Sequence, residues 1–374
     1  MNRIFRRIDK TTFLLYLYLK KFIARKKIAV TDGAVLVLAD LLFGDIAMAG
    51  YLLLALHQKY PSRKIVVLSK ASLANVVKTF DFVEVVGADY LSWRVLFRLR
   101  SASPTGYGEV INIFSWKWFP LLKGFDYGTL LSHPSKKSRD NKVVDCIAFM
   151  PAMPMSAPDI VMSLLDPPFD LISNSDWKPS FVSARLNLPK PYLVIHVGAS
   201  VSSRLWPLSM LEKFIKLCAS EDFFVVFTGL KQDASYMFEL EKMIEKHLQS
   251  NFVNLIGKTT ILGLLEIISN AKALISVDTG VIHWARFLSV ANLSIMGQSD
   301  SSLFGVNSSL FDRAYYVSAK KLDCQDKHTF HGIKLNWVSG CARGVCPLET
   351  RLCFSSLEED ELELSFYKLI SNLS

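Results

Sequence analysis

Short apolar runs alternate with longer amphipathic stretches along most of the chain. Apolar runs of about five residues are typical of buried strands, and the periodic stretches between them are long enough for helices. This alternation predicts β-α-β units around parallel sheets, and so an α/β fold. We expect strands at these runs: Ala34–Leu38, Lys64–Leu68, Phe82–Val86, Glu109–Ile113, Tyr192–His196, Phe223–Thr228, Val253–Ile256, Ala273–Val277 and Asn292–Met296.

The clearest unit is Ala273–Gly297, which predicts a strand, an Asp-Thr-Gly turn, a helix over about Val281–Leu288 and a second strand. Ligands of parallel sheets bind beyond the carboxyl ends of the strands. The N-terminus of a helix at that edge favours a phosphate. Asp278–Gly280 fall there, and His283 in the first helical turn can reach the same place. The alternative is a tight turn in which His283 only packs or caps.

Three further polar loops follow predicted strands, at Phe43–Asp45, Gly198–Arg204 and Gly257–Thr260. Carboxyl ends of parallel strands share one edge of a sheet, so loops of the same sheet should converge. Each loop alone is a weak signal of function.

A chain of 374 residues fits two domains. Residues 151–191 hold eight of the fourteen prolines, which is typical of a connection between domains. We predict a basic N-terminal arm over 1–30, a first domain over 31–185 and a second over 186–355. A C-terminal helix over 356–374 should begin with a capping box at Ser356.

The net charge of +9 is concentrated at the N-terminus, where residues 1–30 hold nine Lys or Arg and one acidic residue. The remainder is close to neutral, so the charge does not argue for nucleic acid binding. Phe13–Leu19 is far short of the ~20 residues that span a bilayer, and no cleavage site of a secretory signal follows it. We predict that the arm lies on an anionic membrane surface. The alternative is a helix that covers a domain.

Six cysteines are present, and four of them fall within Cys324–Cys353. No CxxC pair occurs there, so the spacing favours reduced thiols over a metal site.

Taken together, the motifs resemble glycosyltransferase family 9, the lipopolysaccharide heptosyltransferases, from about Val35 to Gly297. The matching elements, in chain order, are Gly44-Asp45, His196–Ser200, Arg204 before Trp206-Pro207, Asn254–Thr259 and Asp278–His283. The resemblance implies a GT-B fold, with two Rossmann-like domains facing an inter-domain cleft. It also implies inversion at the anomeric carbon without a metal, ADP-heptose as donor, and a lipopolysaccharide core acceptor at the cytoplasmic face of the inner membrane. Two positions depart from the family pattern: Ala39 replaces a basic residue and Val197 a proline.

The residue types fit glycosyl transfer. Asp45 at a helix start can act as the base for the acceptor hydroxyl, and Arg204 can stabilise the leaving phosphate. The alternatives are a helix cap and a surface charge. We expect the donor to be bound by Ser200, Ser203, Lys258, Thr259, Asp278, Thr279, Gly280 and His283. No Asp-x-Asp pair accompanies these loops, so we expect no metal and no cofactor besides the nucleotide sugar.

Basic side chains in the first domain suit an anionic acceptor. We expect Arg94, Arg98 and Arg100 on one helix face, with Lys136 and Lys137 on a loop; the alternative is a solvated charged face. The prediction is a peripheral cytoplasmic transferase that moves heptose from ADP-heptose to a lipopolysaccharide core. Its rivals are a transferase using a hexose or N-acetylhexosamine donor in surface polysaccharide synthesis, a sugar-nucleotide epimerase, and a non-catalytic binding protein. An epimerase needs no acceptor and leaves the basic arm unexplained.

Overall fold

The computed structural model describes most of the chain, in two compact units. The first unit holds the described residues up to Met150, those from Ile160 to Leu165, and His331–Ile333. The second holds Pro151–Asp159 and the remaining residues after 187. The described residues are 8–13, 15–16, 32–124, 126–134, 144–148, 150–165, 188–189, 191–244, 246–305, 308, 310–311, 313–341, 343–348 and 351–373. The predicted boundaries after 30 and 185 lie outside them.

The first unit is built on a parallel six-stranded sheet in the order β3-β2-β1-β4-β5-β6. Its central strand is buried at every position, as expected for a strand covered on both faces. The strands are β1 (Ala34–Ala39), β2 (Ile65–Ser69), β3 (Val83–Gly87), β4 (Tyr107–Asn112), β5 (Tyr127–Ser132) and β6 (Cys146–Ile147). The helices up to residue 162 are α1 (Phe43–Lys59), α2 (Ala74–Val77), α3 (Trp93–Ala102) and α4 (Ala157–Met162), with 3₁₀ turns at Ala71–Leu73 and Trp116–Gly124.

The second unit repeats this plan with a parallel sheet in the order β12-β11-β10-β7-β8-β9. The strands are β7 (Tyr192–His196), β8 (Phe224–Thr228), β9 (Phe252–Asn254), β10 (Ala273–Val277), β11 (Ala291–Met296) and β12 (Ala314–Ser318), followed by the pair β13 (Thr329–Phe330) and β14 (Ile333–Lys334). The helices are α5 (Leu208–Ser220), α6 (Ala234–Met243), α7 (Ile261–Ser269), α8 (Gly280–Phe287), α9 (Ser301–Phe304), α10 (Leu352–Ser355) and α11 (Glu359–Ser371). Two Rossmann-like parallel sheets confirm the predicted fold class.

Chain order reverses beside the first strand of each sheet. In the first unit the reversal falls between β1 and β4, and in the second between β7 and β10. Such switch points open a crevice at the carboxyl ends of the strands, where ligands of α/β sheets bind. The fold therefore places the loops after β1 and β4, and after β7 and β10, where a substrate is expected.

The described part of the N-terminal arm is a helix over residues 8–13 and 15–16, here called the N-terminal helix. Phe13 is fully buried in the core of the first unit and meets Trp93 edge-on, with ring centroids 5.3 Å apart. Asp9 accepts a hydrogen bond from the Trp93 amide at 3.3 Å. Any contact of the arm with a membrane surface therefore does not involve Phe13, because the domain core already buries it. No helix in the described part of the chain is long and apolar enough to cross a membrane.

Some elements differ from the sequence-based predictions. β5, β6 and β12 were not predicted, since their strands are partly exposed or very short and lack a continuous apolar run. The capping box at Ser356 is also wrong. Ser356 closes α10, and α11 begins only at Glu359, without a side-chain cap from Glu358.

Candidate functional site

Asp45 lies in the first turn of α1, directly after the central strand β1. Its Oδ2 accepts a hydrogen bond from the Leu42 amide at 3.1 Å, so the carboxylate does cap the helix. Its Oδ1 faces the His331 imidazole, with Nε2 3.8 Å away. The side chain remains 19% exposed, so a substrate can reach it. The cap and the predicted base are thus compatible, because each uses a different oxygen.

A polar network joins the ends of the neighbouring strands. Asn112, the last residue of β4, donates to the Ser132 hydroxyl at 3.0 Å and accepts from the Ser115 amide at 3.0 Å. The Ser115 hydroxyl in turn accepts from the Asp40 amide. Asp40 also pairs with Lys117 at 3.7 Å. These contacts fix the loops after β1, β4 and β5 at one edge of the sheet.

The predicted acceptor arginines divide into two groups. Arg94 and Arg98 line two adjoining cavities of about 510 and 220 Å³ near the end of β3. Arg98 also donates to the Gly87 carbonyl at 3.3 Å. Arg100 lines neither cavity, and its placement with the other two on one face is wrong, because two residues turn an α-helix by about 200°. Lys136 and Lys137 lie outside the described residues.

In the second unit, Asp278 follows β10 and is nearly buried. Its Oδ2 accepts a hydrogen bond from the Ser299 hydroxyl after β11, and its Oδ1 lies 3.7 Å from His283 Nε2. Thr279 is the N-cap residue of α8, and Gly280 is the first helical residue. Thr279 and Gly280 are only partly buried. The backbone amides at the start of α8 therefore lie at the accessible edge of the turn. Asp278 and His283 support the turn from the interior of the unit.

The loop after β7 holds the next predicted residues. Ser200 is exposed, as a ligand-binding hydroxyl requires. Ser203 is buried and donates its hydroxyl proton to the Arg343 carbonyl at 2.8 Å, so this hydroxyl is already engaged within the second unit. Arg204 is half-buried, and its Nε has no hydrogen-bond partner among the described residues. A buried guanidinium nitrogen without an acceptor is costly, which makes Arg204 a ready anion ligand.

Two glycines are required by close packing at this edge. A Cβ on Gly198 would lie 2.6 Å from Asp233 Oδ2. Gly257 has φ +70°, and a Cβ there would lie 2.9 Å from Lys231 Cα. Lysine at the next position, Lys258, is exposed and donates to the Asn254 carbonyl at 2.8 Å. The neighbouring Thr259 is half-buried, so both predicted residues lie at the rim.

Buried ionisable side chains lie behind the loops at the carboxyl edge of the second sheet. Burial lowers the pKa of His196, the last residue of β7, to about 4, and its Nδ1 contacts the Thr228 hydroxyl at 3.0 Å. Burial also raises the pKa of Asp233, although the Leu230 amide, which donates to it, opposes that shift. His196 is therefore neutral near pH 7 and acts as part of the scaffold.

Sequence reasoning missed His331, whose ring lies beside Asp45. The available signal was the His331-Gly332 pair, which is typical of a two-residue turn between short strands. That pattern predicts a hairpin, but nothing local indicates which strand end the turn approaches.

The cysteine-rich segment is also visible. All six cysteines are free, including Cys324, Cys341, Cys346 and Cys353. Among the described residues, no group of three or more His, Cys, Asp or Glu side chains could hold a metal ion.

Part of the chain matches a known protein family. The family model for glycosyltransferase family 9 (heptosyltransferase) matches residues 166–332. A sequence search of curated proteins finds no significant match.

Solved structures share the fold. E. coli ADP-heptose lipopolysaccharide heptosyltransferase II matches with a TM-score of 0.61 at 16% identity, covering 78% of this chain and 92% of that one. E. coli heptosyltransferase WaaC with ADP-2-deoxy-2-fluoro heptose matches with a TM-score of 0.57 at 15% identity, covering 77% and 93%. The iron-containing dodecameric heptosyltransferase TibC, in complex with ADP-D-β-D-heptose, gives 0.54 at 12% identity, covering 94% and 80%.

The family match spans β7 to β13, together with the loops that carry Ser200, Arg204, Thr259 and Asp278. It confirms the resemblance predicted from the motifs, and the similar solved structures have the same fold. Residues 166–332, somewhat less than half of the chain, therefore match glycosyltransferase family 9, and this match together with the shared fold supports a glycosyltransferase.

Proposed function

We propose that this protein transfers a heptose from ADP-heptose to a lipopolysaccharide core acceptor, with inversion and without a metal ion. One observation carries the proposal: each sheet presents, beside its switch point, the groups that one half of the reaction needs. The first presents a carboxylate with an accessible oxygen at Asp45. The second presents Arg204 and the N-terminus of α8.

The transfer itself is a displacement at the anomeric carbon. The acceptor hydroxyl attacks that carbon and forms the new glycosidic bond, while its proton passes to Asp45 Oδ1. The bond from the anomeric carbon to the diphosphate breaks, and its electron pair leaves on the phosphate oxygen. Asp45 suits the base role because Oδ2 is held by the Leu42 amide, which leaves Oδ1 for the proton.

The departing diphosphate needs positive charge and hydrogen-bond donors. Arg204 supplies a fixed charge and a guanidinium Nε that no described residue engages. Amides at Gly280 and the α8 dipole add donors that are preorganised before the reaction. Asp278 and His283 brace that turn from inside the unit. Ser200 and Thr279 have accessible hydroxyls, so these two residues contact the donor directly in the proposed complex.

The choice of ADP-heptose is supported by the family's description as heptosyltransferase and by similar proteins that are named as ADP-heptose enzymes. On the acceptor side, the cavities walled by Arg94 and Arg98 suit an anionic core sugar.

Membrane contact belongs to the same proposal. The N-terminal helix exposes Ile8 and Leu15, and the α3 side chain Phe97 is also exposed. Lys10 and Arg94 are exposed on these same two helices. Exposed apolar and basic side chains on the same helices favour an anionic lipid surface, such as the cytoplasmic face of the inner membrane.

A panel assay tests the proposal. The purified protein is incubated with ADP-heptose, UDP-hexoses and UDP-N-acetylhexosamine, each with truncated lipopolysaccharides, and the product mass is determined. We expect a mass increase of one heptose with ADP-heptose only, at the same rate with and without EDTA. A product from another donor, or activity that returns only with added magnesium or manganese, contradicts the proposal.

A further inference from the structure

Three aromatic rings are stacked at the carboxyl edge of the first sheet. Phe114 lies between two imidazoles, with its centroid 3.9 Å from that of His133 and 4.4 Å from that of His331. Both interplanar angles are 9°, so the three rings are nearly parallel. His133 directly follows β5, Phe114 follows β4, and Asp45 follows β1, which are adjacent strands. The stack therefore runs along the sheet edge toward Asp45.

The inner end of this stack is anchored. His133 is fully buried, and its Nε2 lies 2.9 Å from the Ile160 carbonyl. Burial lowers the pKa of His133 to about 4, so the ring is neutral near pH 7 and donates its Nε2 proton to that carbonyl. Because the ring is held on one side, it offers a fixed face to Phe114.

The backbone at the other two rings is unusual. Phe114 has φ +50° and His331 has φ +44°, although neither is glycine. Large side chains adopt this left-handed region only where their surroundings enforce it, and such residues cluster at functional sites. At His331 the conformation belongs to a two-residue turn that Gly332 completes with φ +79°. The turn directs the imidazole onto Phe114 on one side and Asp45 on the other.

The outer end of the stack meets the reacting oxygen. Asp45 Oδ2 is committed to the Leu42 amide, and Oδ1 is the atom 3.8 Å from His331 Nε2. That separation is longer than a hydrogen bond, and catalytic hydrogen bonds are often long until substrate binds. Both side chains are partly exposed, 25% for His331 and 19% for Asp45, so the gap opens to solvent.

We infer that His331 is a positioning residue for the proposed base: its Nε2–H fixes the orientation of the Asp45 carboxylate so that Oδ1 meets the acceptor hydroxyl. The inference rests on the proposed function. The stack on Phe114 and His133 supplies the rigidity, because a loop side chain without it would sample several rotamers. The competing explanation is that His331 only completes a turn and packs on Phe114.

Two substitutions separate these explanations. His331→Phe keeps a ring for the stack and removes the N–H, whereas His331→Gln keeps an N–H at similar reach and removes the ring. If His331 positions Asp45, His331→Phe lowers kcat about tenfold, the scale of one hydrogen bond to a charged group, with the KM for the donor unchanged. His331→Gln recovers most of that loss. Unchanged kcat in His331→Phe, or equal losses in both variants, overturns the inference.

A matched control and a double variant complete the test. His57 stacks on Phe82 in the same unit, with centroids 4.4 Å apart, and His57→Phe should leave kcat unaltered. Combined with Asp45→Asn, His331→Phe should cost nothing further, because it acts through that carboxylate. Additive losses overturn the inference while leaving the proposed function intact. A wild-type protein that transfers no sugar in the panel assay overturns both.

Discussion

An aspartate–histidine pair lies at the carboxyl edge of the sheet in each unit, and these two pairs differ in exposure. In the first unit, Asp45 and His331 are 3.8 Å apart with side chains 19% and 25% exposed. In the second, Asp278 and His283 are 3.7 Å apart with side chains only 10% and 9% exposed. The two pairs thus have nearly the same carboxylate–imidazole distance, but the first is partly accessible to solvent and the second is nearly buried.

Their other partners explain what the difference means. One carboxylate oxygen of Asp45 accepts a hydrogen bond from a backbone amide at the start of α1, and the other oxygen remains accessible. One carboxylate oxygen of Asp278 accepts a hydrogen bond from the Ser299 hydroxyl, and this bond connects the ends of β10 and β11. An accessible carboxylate can exchange a proton with substrate, whereas a buried one mainly holds a turn in place. Under the proposed function, the first unit therefore performs the chemistry and the second positions the donor.

A helix near each end of the chain buries an aromatic side chain in the core of one unit. Removing either of these side chains should lower the free energy of unfolding more than any other change proposed below. Phe13→Ala in the first unit and Phe366→Ala in the second each empty a fully buried site and should cost about 3–5 kcal/mol of unfolding free energy. Leu15→Ala, at a side chain 57% exposed, is the matched control and should change stability by less than about 0.5 kcal/mol. Chemical denaturation measures all three.

The burial of Phe13 in the first core predicts the effect of removing the N-terminal arm. Deleting residues 1–27 removes Phe13, so we expect the first unit to melt at a markedly lower temperature, whether or not the protein also loses binding to vesicles. A truncated protein that melts as the wild type does would show that the N-terminal helix is a dispensable anchor after all.

Acid should destabilise both units in the same pH window. His133 in the first unit and His196 in the second have a pKa of about 4 when folded, against about 6.5 when unfolded. As pH falls from about 6.5 to 4, the unfolded chain gains protons that the folded chain does not, so the unfolding free energy falls. The loss is on the order of 3 kcal/mol for each histidine. His133→Gln or His196→Gln should flatten the pH dependence of melting, and an unchanged slope would contradict the neutral, buried state of that histidine.

Donor binding should depend on the second unit alone. Arg204→Ala removes a phosphate ligand, and Gly280→Val blocks the close approach of a phosphate to the α8 amides. Each should weaken ADP binding about tenfold by calorimetry. Lys242→Ala, which removes an exposed charge paired with Glu239, is the control for net charge. Unchanged affinity in both variants would remove the diphosphate from this edge.

The pattern of apolar runs was sufficient to predict the two sheets but not every strand in them. β7 and β10 match their predicted bounds because each is a continuous apolar run buried on both faces. β5 was missed because half-buried positions interrupt its run. Strands that are only partly buried lack a continuous apolar run, so their sequences resemble loops.

Site residues could be predicted where a motif sits on a strand end. The positions of Asp45 and Asp278 after β1 and β10 were predicted in this way, since order along the chain fixes which strand each residue follows. The burial of Ser203 could not be predicted, because its hydroxyl donates to the Arg343 carbonyl, 140 residues away in sequence. His331 was missed for the same reason, because its relation to Asp45 arises only from tertiary structure.

The central claim is that the accessible carboxylate performs the chemistry, and the turnover of Asp45→Asn beside Asp278→Asn tests it most directly. Both variants are assayed with ADP-heptose at saturation, with ADP affinity and melting temperature measured on the same samples. The account predicts that Asp45→Asn loses at least ~100-fold in kcat, the scale of a general base, while binding ADP and melting as the wild type does. Asp278→Asn should instead weaken ADP binding or lower the melting temperature. If Asp45→Asn keeps most of its turnover, Asp45 is only a helix cap and the assignment of chemistry to the first unit is wrong.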